Sequence, residues 1–363
     1  MKKIAFICGG PSVEREISCL TGLKIAKELQ EEKIDHLLIY LDDHHRFYLV
    51  REYVPTFVKE KKMSEGRFVK GKKKDFFSVK GKKHIFDEIV ILGHGKNIEE
   101  GSLAAFFFHH GFSCLSESLA NGTLLQDKLR SKLALGSLNV PMVKYDYLYK
   151  YQVNAQEVQR RIIDRIGFPL IVKPSSLGSS IGISRVDTAE RLPNALFEAF
   201  LYDDCVLVET CVENKREINV AILGYEKEMT VSVLEEVNRS DQVLTFYDKY
   251  DYTLSNKKRV VGPAIDDSVR EKIVQTATTI FTSLRLCGLV RFDFIVDGEK
   301  VYFNEANLIP GSLAYYLFPD MKIGELVEKY VGYLEKKEHQ QSLLFTTFHE
   351  GFMNKVDLSK LKK

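Results

Sequence analysis

The segment Arg291–Gly311, RFDFIVDGEKVYFNEANLIPG, carries three side chains whose types suit a hard cation. Glu305 and Asn307 are two residues apart, so a strand points both to one face. Asp293 precedes the Asp297-Gly298 turn signal and can stand on the neighbouring strand of the same hairpin. Two carboxylates and one amide oxygen meeting at a point form a sparse oxygen set, of the kind that holds magnesium beside nucleotide phosphates. Register decides whether they meet. A two-residue turn at Asp297-Gly298 pairs Asp293 with Tyr302 and sends Glu305 to the opposite face. An odd-length loop pairs Asp293 with Phe303 and gathers all three, so the metal reading predicts a three-residue or other odd loop. An exposed strand pair that merely carries a few acids is the competing reading.

Other residues point to anions. Lys173–Gly182, KPSSLGSSIG, is a Gly- and Ser-rich loop between two apolar runs, with Lys173 leading into it. It has the character of a flap over phosphates. The pattern G-x-x-x-x-G-K-[ST] is absent, so such a flap is a β-hairpin and the nucleotide lies between two sheets. An ordinary flexible hairpin is the alternative. Gly9-Gly10-Pro11-Ser12 ends the first apolar run, where backbone N–H groups can approach an anion, although a plain strand-to-helix turn fits equally. Glu14 and Glu16 open the following helix, either as favourable partners of its dipole or as carboxylates for an ammonium. His109-His110 lack the further spaced ligands of a metal site. No serine has a paired histidine and acid, so hydrolase chemistry has no support.

These groups need a frame. Lys3–Cys8, His36–Leu41 and Ile89–Leu92 read as strands, with an amphipathic helix at Glu16–Leu29, which implies a parallel α/β sheet. Between them the stretch 44–84 turns basic, with KEKK, KGKKK and KGKK among aromatics. A nucleic-acid patch is one reading, and charged hairpins inserted in a loop are the other. The net charge of only +2 favours hairpins. Further along, 116–136 reads as helix, Pro169–Lys173 and Ile181–Val186 as paired strands, and Val206–Glu209 and Ile218–Leu223 as strands. Asp267–Leu286 has the spacing of a long helix, Ile323–Tyr333 is a last helix, and the Lys-rich tail from Glu335 looks poorly fixed.

The chain of 363 residues is long enough for two or three domains. It has no apolar run of about 18 residues and no signal-peptide pattern at its start, so a cytoplasmic protein is expected. Six cysteines without a C-x-x-C pair read as buried thiols in a reducing compartment.

Several ordered motifs carry a family resemblance. VKPSSLGSSIGISRV, VETCVENKREINVAILG and VRFDFIVDGEKVYFNEANLIPG resemble the ATP-grasp core of D-alanine–D-alanine ligases. GGPSVEREIS resembles that family's first loop, GHGKNIEEG its HGxxGEDG segment, and LQDKLRSKLAL its DK-x-x-x-K helix. The likeness covers about residues 1–43 and 86–333. It implies an α/β protein: an N-terminal parallel α/β (pre-ATP-grasp, Rossmann-like) domain, then a two-lobed α+β ATP-grasp core. The expected divisions are 1–115 for the substrate domain with the basic insertion near 44–84, 116–209 for the lobe with the phosphate flap, 210–340 for the lobe with metal and substrate sites, and 341–363 for a tail.

The resemblance also implies roles. Lys128 and Lys173 contact ATP phosphates. Glu209 receives the adenine amino group, with Val212 in the 209–212 hinge, and Glu217 holds the ribose. Asp293, Glu305 and Asn307 hold two Mg2+ ions, with Mn2+ as a substitute. Glu14 binds the ammonium of the first amino acid, with His94 nearby. Ser179 lies on the closing loop. Arg291 and the Gly311 N–H stabilise the oxyanion. Tyr316 and Leu317 line the second amino-acid pocket. The implied reaction joins two D-alanines through a D-alanyl phosphate, for peptidoglycan precursors. Loops near 175–182 and 246–256 exclude water from that phosphate. The implied partners are amino acids and ATP, with no nucleic acid or membrane, in a homodimer.

The sequence departs from the pattern at four places. The family's Lys-Tyr pair after FYD aligns with Tyr252-Thr253, with Lys249 and Tyr250 near enough to substitute. Leu308 replaces a threonine, Ile98 and Ala104 in one region replace a glycine and a glutamine, and the basic insertion is long. Because the Lys-Tyr pair is also replaced in relatives that make D-alanyl-D-lactate, two alternatives stand. One is a ligase with D-lactate, D-serine or another amino acid second. The other is a degenerate nucleotide-binding regulator.

Overall fold

A computed structural model of the chain describes residues 2–153, 156–237 and 259–344. The first sheet begins with β1 (Ile4–Gly9), buried along its whole length as a central parallel strand must be. β2 (His36–Leu41), β7 (Glu88–Ile91) and β8 (Cys114–Leu115) continue it in parallel. The basic stretch supplies β3 (Phe47–Val50), β4 (Met63–Val69), β5 (Phe76–Val79) and β6 (Lys82–Ile85). These four are antiparallel hairpins, as the charge pattern predicts, and they extend one edge in the order β6-β5-β4-β3-β2-β1-β7-β8. The sheet is therefore mixed, which corrects the all-parallel expectation. Aromatics explain why the insertion folds onto it: Phe77 and Phe86 are buried, and the Phe68 ring packs edge-on to Phe77 and Phe107. Lys72, Lys73, Lys82 and Lys83 stay exposed. Helix α1 (Arg15–Glu31) lies so close to β1 that a Cβ at Gly22 would sit 2.7 Å from the Cys8 Cβ. Helix α2 (Ser102–His109) precedes β8.

The run 116–136 is two helices, α3 (Leu119–Gln126) and α4 (Lys128–Gly136), not one. Asp127 is extended between them and accepts the Arg130 N–H at 3.0 Å, the side-chain bond of an N-cap. The break puts Lys128 at the head of α4 and Lys132 one turn later on the same face. A second, antiparallel sheet follows, in the order β11-β10-β12-β9. Its strands are β9 (Tyr145–Tyr149), β10 (Leu170–Pro174), β11 (Ser184–Val186) and β12 (Cys205–Thr210). α5 (Gln156–Ile166) and α6 (Leu192–Ala199) bury Leu148, Leu170, Val172, Val206 and Val208 on one face. Alternation turns Ile171, Lys173 and Glu209 to the other face, where Ile171 stands opposite Glu209.

The third sheet runs β16-β15-β13-β17-β18, with β14 (Glu228–Val231) also on β13. Its strands are β13 (Arg216–Tyr225), β15 (Glu235–Val237), β16 (Arg259–Val261), β17 (Cys287–Asp297) and β18 (Lys300–Asn307). Helix α7 (Asp267–Ser283) places Val269, Ile273, Ala277, Ile280 and Phe281 against Val220, Phe292, Phe294 and Phe303. The last helix, α8 (Ile323–Ser342), runs nine residues past the expected end at Tyr333. Lys336 pairs with Glu228 at 2.7 Å, Lys337 with Glu117, and the Tyr225 hydroxyl with Gln340 at 2.5 Å. The poorly fixed tail therefore does not begin at Glu335. The rest of that expectation, 345–363, lies outside the described residues. Ile4, Phe6 and Val90 share one core with Leu223, Leu289, Leu313 and Tyr330, so the first and third sheets are joined.

Candidate active site

The hairpin's parity comes from a different device than the loop. Asp297 pairs with Lys300, which leaves a two-residue turn at Gly298-Glu299, so the odd-loop expectation is overturned. Phe294 pairs with Phe303, then the register shifts and Asp293 pairs with Glu305. Asn304 is the extra residue of a β-bulge. Phe303 and Glu305 would share a face in a regular strand; the bulge leaves Phe303 in the core and turns Glu305 and Asn307 away from it. Asp293, Glu305 and Asn307 therefore meet as expected. Pairing extends the row across the sheet: Arg291 opposite Asn307, Asn219 opposite Asp293, and Glu235 opposite Asn219.

Cations already neutralise this face. Arg291 forks both Asp293 oxygens at 2.7 and 2.8 Å, and Asn307 donates to Asp293 at 3.2 Å. Lys128 lies 3.2 Å from Glu305. The donor set fits a hard cation that keeps most of its ligands for phosphate and water, with Asn307 presenting its oxygen after an amide rotation. Among the described residues no group of three His, Cys, Asp or Glu could hold a metal, so the amide is needed.

A cleft with about 690 Å³ of empty space, open solvent included, lies between the second and third sheets. Lys128, Lys173, Glu209, Val212, Glu217 and Glu305 line it, with Asn304 and the loop 177–180. Lys173 is buried, 2.7 Å from Glu209 and 3.2 Å from the Asn304 oxygen. Lys132 approaches the other Glu209 oxygen at 2.8 Å, as an ion pair off hydrogen-bond direction. Burial would raise the Glu209 pKa, but Lys132 and Lys173 overcome it and hold it at about 2. One carboxylate serves two ammonium groups, and burial pushes Lys173 down despite the pairing. Glu217 pairs with Lys215 at 3.0 Å.

The flap tip reaches the first sheet. Ser179 and Ser180 are left-handed, with φ of 55° and 60°, and the Ser179 hydroxyl donates to buried Glu14 at 2.5 Å. Flap and acid approach closely here: a Cβ at Gly178 would stand 2.9 Å from the Glu14 carboxylate. Buried His94 bonds Thr21 at 3.0 Å; burial, then Arg291, lowers its pKa to about 4. Glu99 accepts the Gly95 N–H at 3.2 Å, and burial, then Glu14, pushes its pKa up to about 8. Gly311 opens the 3-10 turn Gly311–Leu317, in which Ser312, Leu313 and Ala314 are left-handed. Its Ser312 N–H donates to Thr21 at 3.2 Å, tying the turn to α1. The Tyr316 hydroxyl donates to Glu235 at 3.1 Å, whereas Leu317 is fully buried in the shared core. Lys249, Tyr250 and the loop 246–256 lie outside the described residues.

Sequence reasoning missed Lys132, Asn304, Glu99 and Glu235. Lys132 had a signal, one helical turn after Lys128, and Glu99 stands inside GHGKNIEEG. Asn304 had none, since a bulge leaves no mark on alternation.

Solved structures first define the class, a mixed α/β fold shared with D-alanine–D-alanine ligases. The Helicobacter pylori enzyme superposes with a TM-score of 0.73 at 26% identity, covering 92% of this chain and 98% of that one. The Coxiella burnetii enzyme gives 0.78 at 24%, covering 94% and 97%. Among curated relatives, the D-alanine–D-alanine ligase of Thermosipho melanesiensis is 33% identical over 331 residues, 88% of this chain and 89% of the relative. That of Campylobacter lari is 33% identical over 322 residues, 86% and 88%. Family descriptions "D-ala D-ala ligase N-terminus" and "D-ala D-ala ligase C-terminus" match residues 3–115 and 135–328. The chain belongs to the D-alanine–D-alanine ligase family, whose members are ATP-dependent carboxylate–amine ligases.

Proposed function

We propose that this chain joins two D-alanines at the expense of ATP, through a D-alanyl phosphate, and supplies the dipeptide to peptidoglycan precursor synthesis. Its sheets support an N-terminal substrate domain over 1–115, a flap-bearing lobe over 116–209 and a metal- and substrate-binding lobe over 210–340, the last two as the lobes of an ATP-grasp core. The observation that carries the reading is the Ser179–Glu14 contact. It sets a buried carboxylate, suited to an ammonium, at the tip of the flap whose base carries Lys173.

ATP lies in the cleft with its phosphates toward Lys128 and Lys173. Glu217 takes the ribose hydroxyls beside Val212. Glu209 accepts the adenine amino group on a lone pair left by its lysines, since a carboxylate offers about four acceptor sites. Asp293, Glu305 and Asn307 would hold two Mg2+ ions, with Mn2+ as a substitute, and the metal supplies charge neutralisation for phosphoryl transfer. Glu14 anchors the first D-alanine, beside His94, so that its carboxylate meets the γ-phosphoryl group. The second amine then attacks the acyl carbon and phosphate leaves. Arg291 and the Gly311 N–H face the developing oxyanion. Tyr316 and Leu317 shape the second pocket, Leu317 from behind. Lys249 is assigned to the phosphates, on the closing loop. A homodimer in the cytoplasm is the expected form. No helix among the described residues is long and apolar enough to cross a membrane.

Phosphate release from ATP and Mg2+ tests this, with D-alanine alone and with D-lactate or D-serine added. Release and D-alanyl-D-alanine with D-alanine alone support the reading. Release only with a second acceptor makes it a ligase of mixed products. Nucleotide binding without release under any condition makes it a regulator.

A further inference from the structure

Helix α1 carries a polar stripe. Glu14 is its N-cap residue and Glu32 its C-cap residue, with Thr21, Lys24 and Glu28 between them at intervals of three, four or seven, which keep to one face of a helix. The stripe meets the turn Gly311–Leu317 and the start of α8. The Ser312 N–H donates to the Thr21 hydroxyl at 3.2 Å, and Lys24 holds its ammonium 5.1 Å from the centre of the Tyr315 ring. The Tyr315 hydroxyl donates to Glu28 at 3.0 Å, and the Gly324 N–H of α8 donates to Glu32 at 3.2 Å. A helix of the first sheet thus holds a turn of the third along much of its own length.

The turn needs holding. Ser312, Leu313 and Ala314 have φ of 54°, 51° and 44°, and each carries a Cβ. Left-handed backbone crowds a Cβ against the following carbonyl oxygen, so such a run persists only where contacts outside it compensate. Leu313 and Ala314 are fully buried in the shared core, which supplies part of that compensation. The Ser312 N–H, one residue after Gly311, is fixed by Thr21, whose hydroxyl also bonds His94 at 3.0 Å. A hydroxyl has one proton and two lone pairs, so one group serves the turn and the histidine together. Thr21 is buried, which leaves water poorly placed to replace it.

We propose that Thr21 and Glu28 are positioning residues: they hold the left-handed turn so that the Gly311 N–H and Tyr316 stand where the second amine meets the acyl carbon. The assignment rests on the ligase reading above and deepens it. Glu14 and Thr21 lie two turns apart on α1, about 10 Å along its axis, so one helix spaces the ammonium end of the first substrate from the oxyanion side of the reacting carbon. The D-alanyl phosphate has two fates. Amine attack forms a C–N bond, breaks the acyl C–O bond and releases phosphate and a proton. Water attack breaks the same bond and returns D-alanine, phosphate and a proton. Water needs no second pocket, so a displaced turn slows the first fate more than the second.

The test measures phosphate and D-alanyl-D-alanine together at saturating ATP, Mg2+ and D-alanine. The wild type should release about one phosphate per dipeptide. Thr21→Val keeps the shape and removes the hydroxyl. Its kcat for dipeptide should fall about tenfold or more, its KM for ATP should stay within about twofold, and its phosphate per dipeptide should rise to about two or more. Thr21→Ser keeps the hydroxyl and should return rate and ratio close to wild type. A loss of folded enzyme lowers both products alike, so a Thr21→Val enzyme that stays coupled overturns the assignment. A Thr21→Ser enzyme no better than Thr21→Val overturns it as well, because the hydroxyl is then not the cause. If Thr21→Val does not fold, Tyr315→Phe removes the Glu28 tether instead, and an unchanged rate and ratio there overturn the assignment. A wild type that forms no dipeptide sinks the ligase reading and the assignment with it, whereas a coupled wild type beside a coupled Thr21→Val sinks the assignment alone.

Discussion

Replacing Lys132 by methionine tests how the buried charges at the cleft wall are held. Lys132 and Glu209 are 1% and 3% exposed, and Lys173 is 4% exposed, so water screens none of them well. Glu209 sits at about 2 against an ordinary 4.5. That depression corresponds to roughly 3 kcal/mol of stability at pH 7. The sign follows from the shift: the contribution is present above pH 4.5 and is lost as pH falls towards 2. Lys132→Met removes one of two cations and leaves the other, so about half of that sum goes directly. Imperfect repair of a buried partner brings the expected loss to about 2–3 kcal/mol. Urea unfolding at pH 7 measures it, read by tyrosine fluorescence because the chain has 17 tyrosines and no tryptophan. Glu209→Gln and the double variant complete the cycle. The double variant should be more stable than the sum of single losses predicts, by at least about 1.5 kcal/mol. Additivity within about 0.5 kcal/mol would refute the shared-carboxylate account.

Glu305→Gln removes the charge of a proposed metal ligand at nearly constant volume. Phosphate release should fall on the order of 100-fold while the melting temperature barely moves; release near wild type at equal magnesium refutes the metal assignment. His94, at about 4, is neutral in the fold, so its contribution is present above the unfolded value of 6.5 and lost as pH falls through 4. His94→Gln should flatten that stretch of a urea-midpoint profile by up to about 3 kcal/mol. Glu99, raised to about 8, acts with opposite sign: its contribution is present below 4.5 and lost as pH rises through 8. Glu99→Gln mimics the protonated acid and should stabilise the protein at pH 9, and an unchanged midpoint there sinks the idea.

Much of the fold was legible because it rests on local periodicity. Ile4–Gly9 and His36–Leu41 are uninterrupted apolar runs, and α7 repeats its apolar residues at helical spacing. The lysines of 44–84 marked their own hairpins, because they alternate with aromatics that need a core. What failed depended on contacts distant in sequence. Helix α8 extends to Ser342 because Glu117 and Glu228 lie where Lys337 and Lys336 can reach them. Polar spacing alone made that turn look free. The helix break at Asp127 was within reach, since Asp is a strong N-cap, but the apolar run across it hid the signal.

The candidate site shows the same limit in sharper form. Residue types singled out Asp293, Glu305 and Asn307, and the strand register does bring them to one face as that reading demands. The even turn at Gly298-Glu299 would have defeated that demand in a regular hairpin. Asn304 reconciles the two by dropping out of the pairing, and it then gives its side-chain oxygen to Lys173. One residue thus sets the orientation of the carboxylates and connects them to the buried Lys173 of the opposite sheet. That coupling explains why the carboxylates and the flap lysine can only be understood together. The bulge fixes how far β18 turns toward the cleft, and the cleft decides what Asn304 does once it is there.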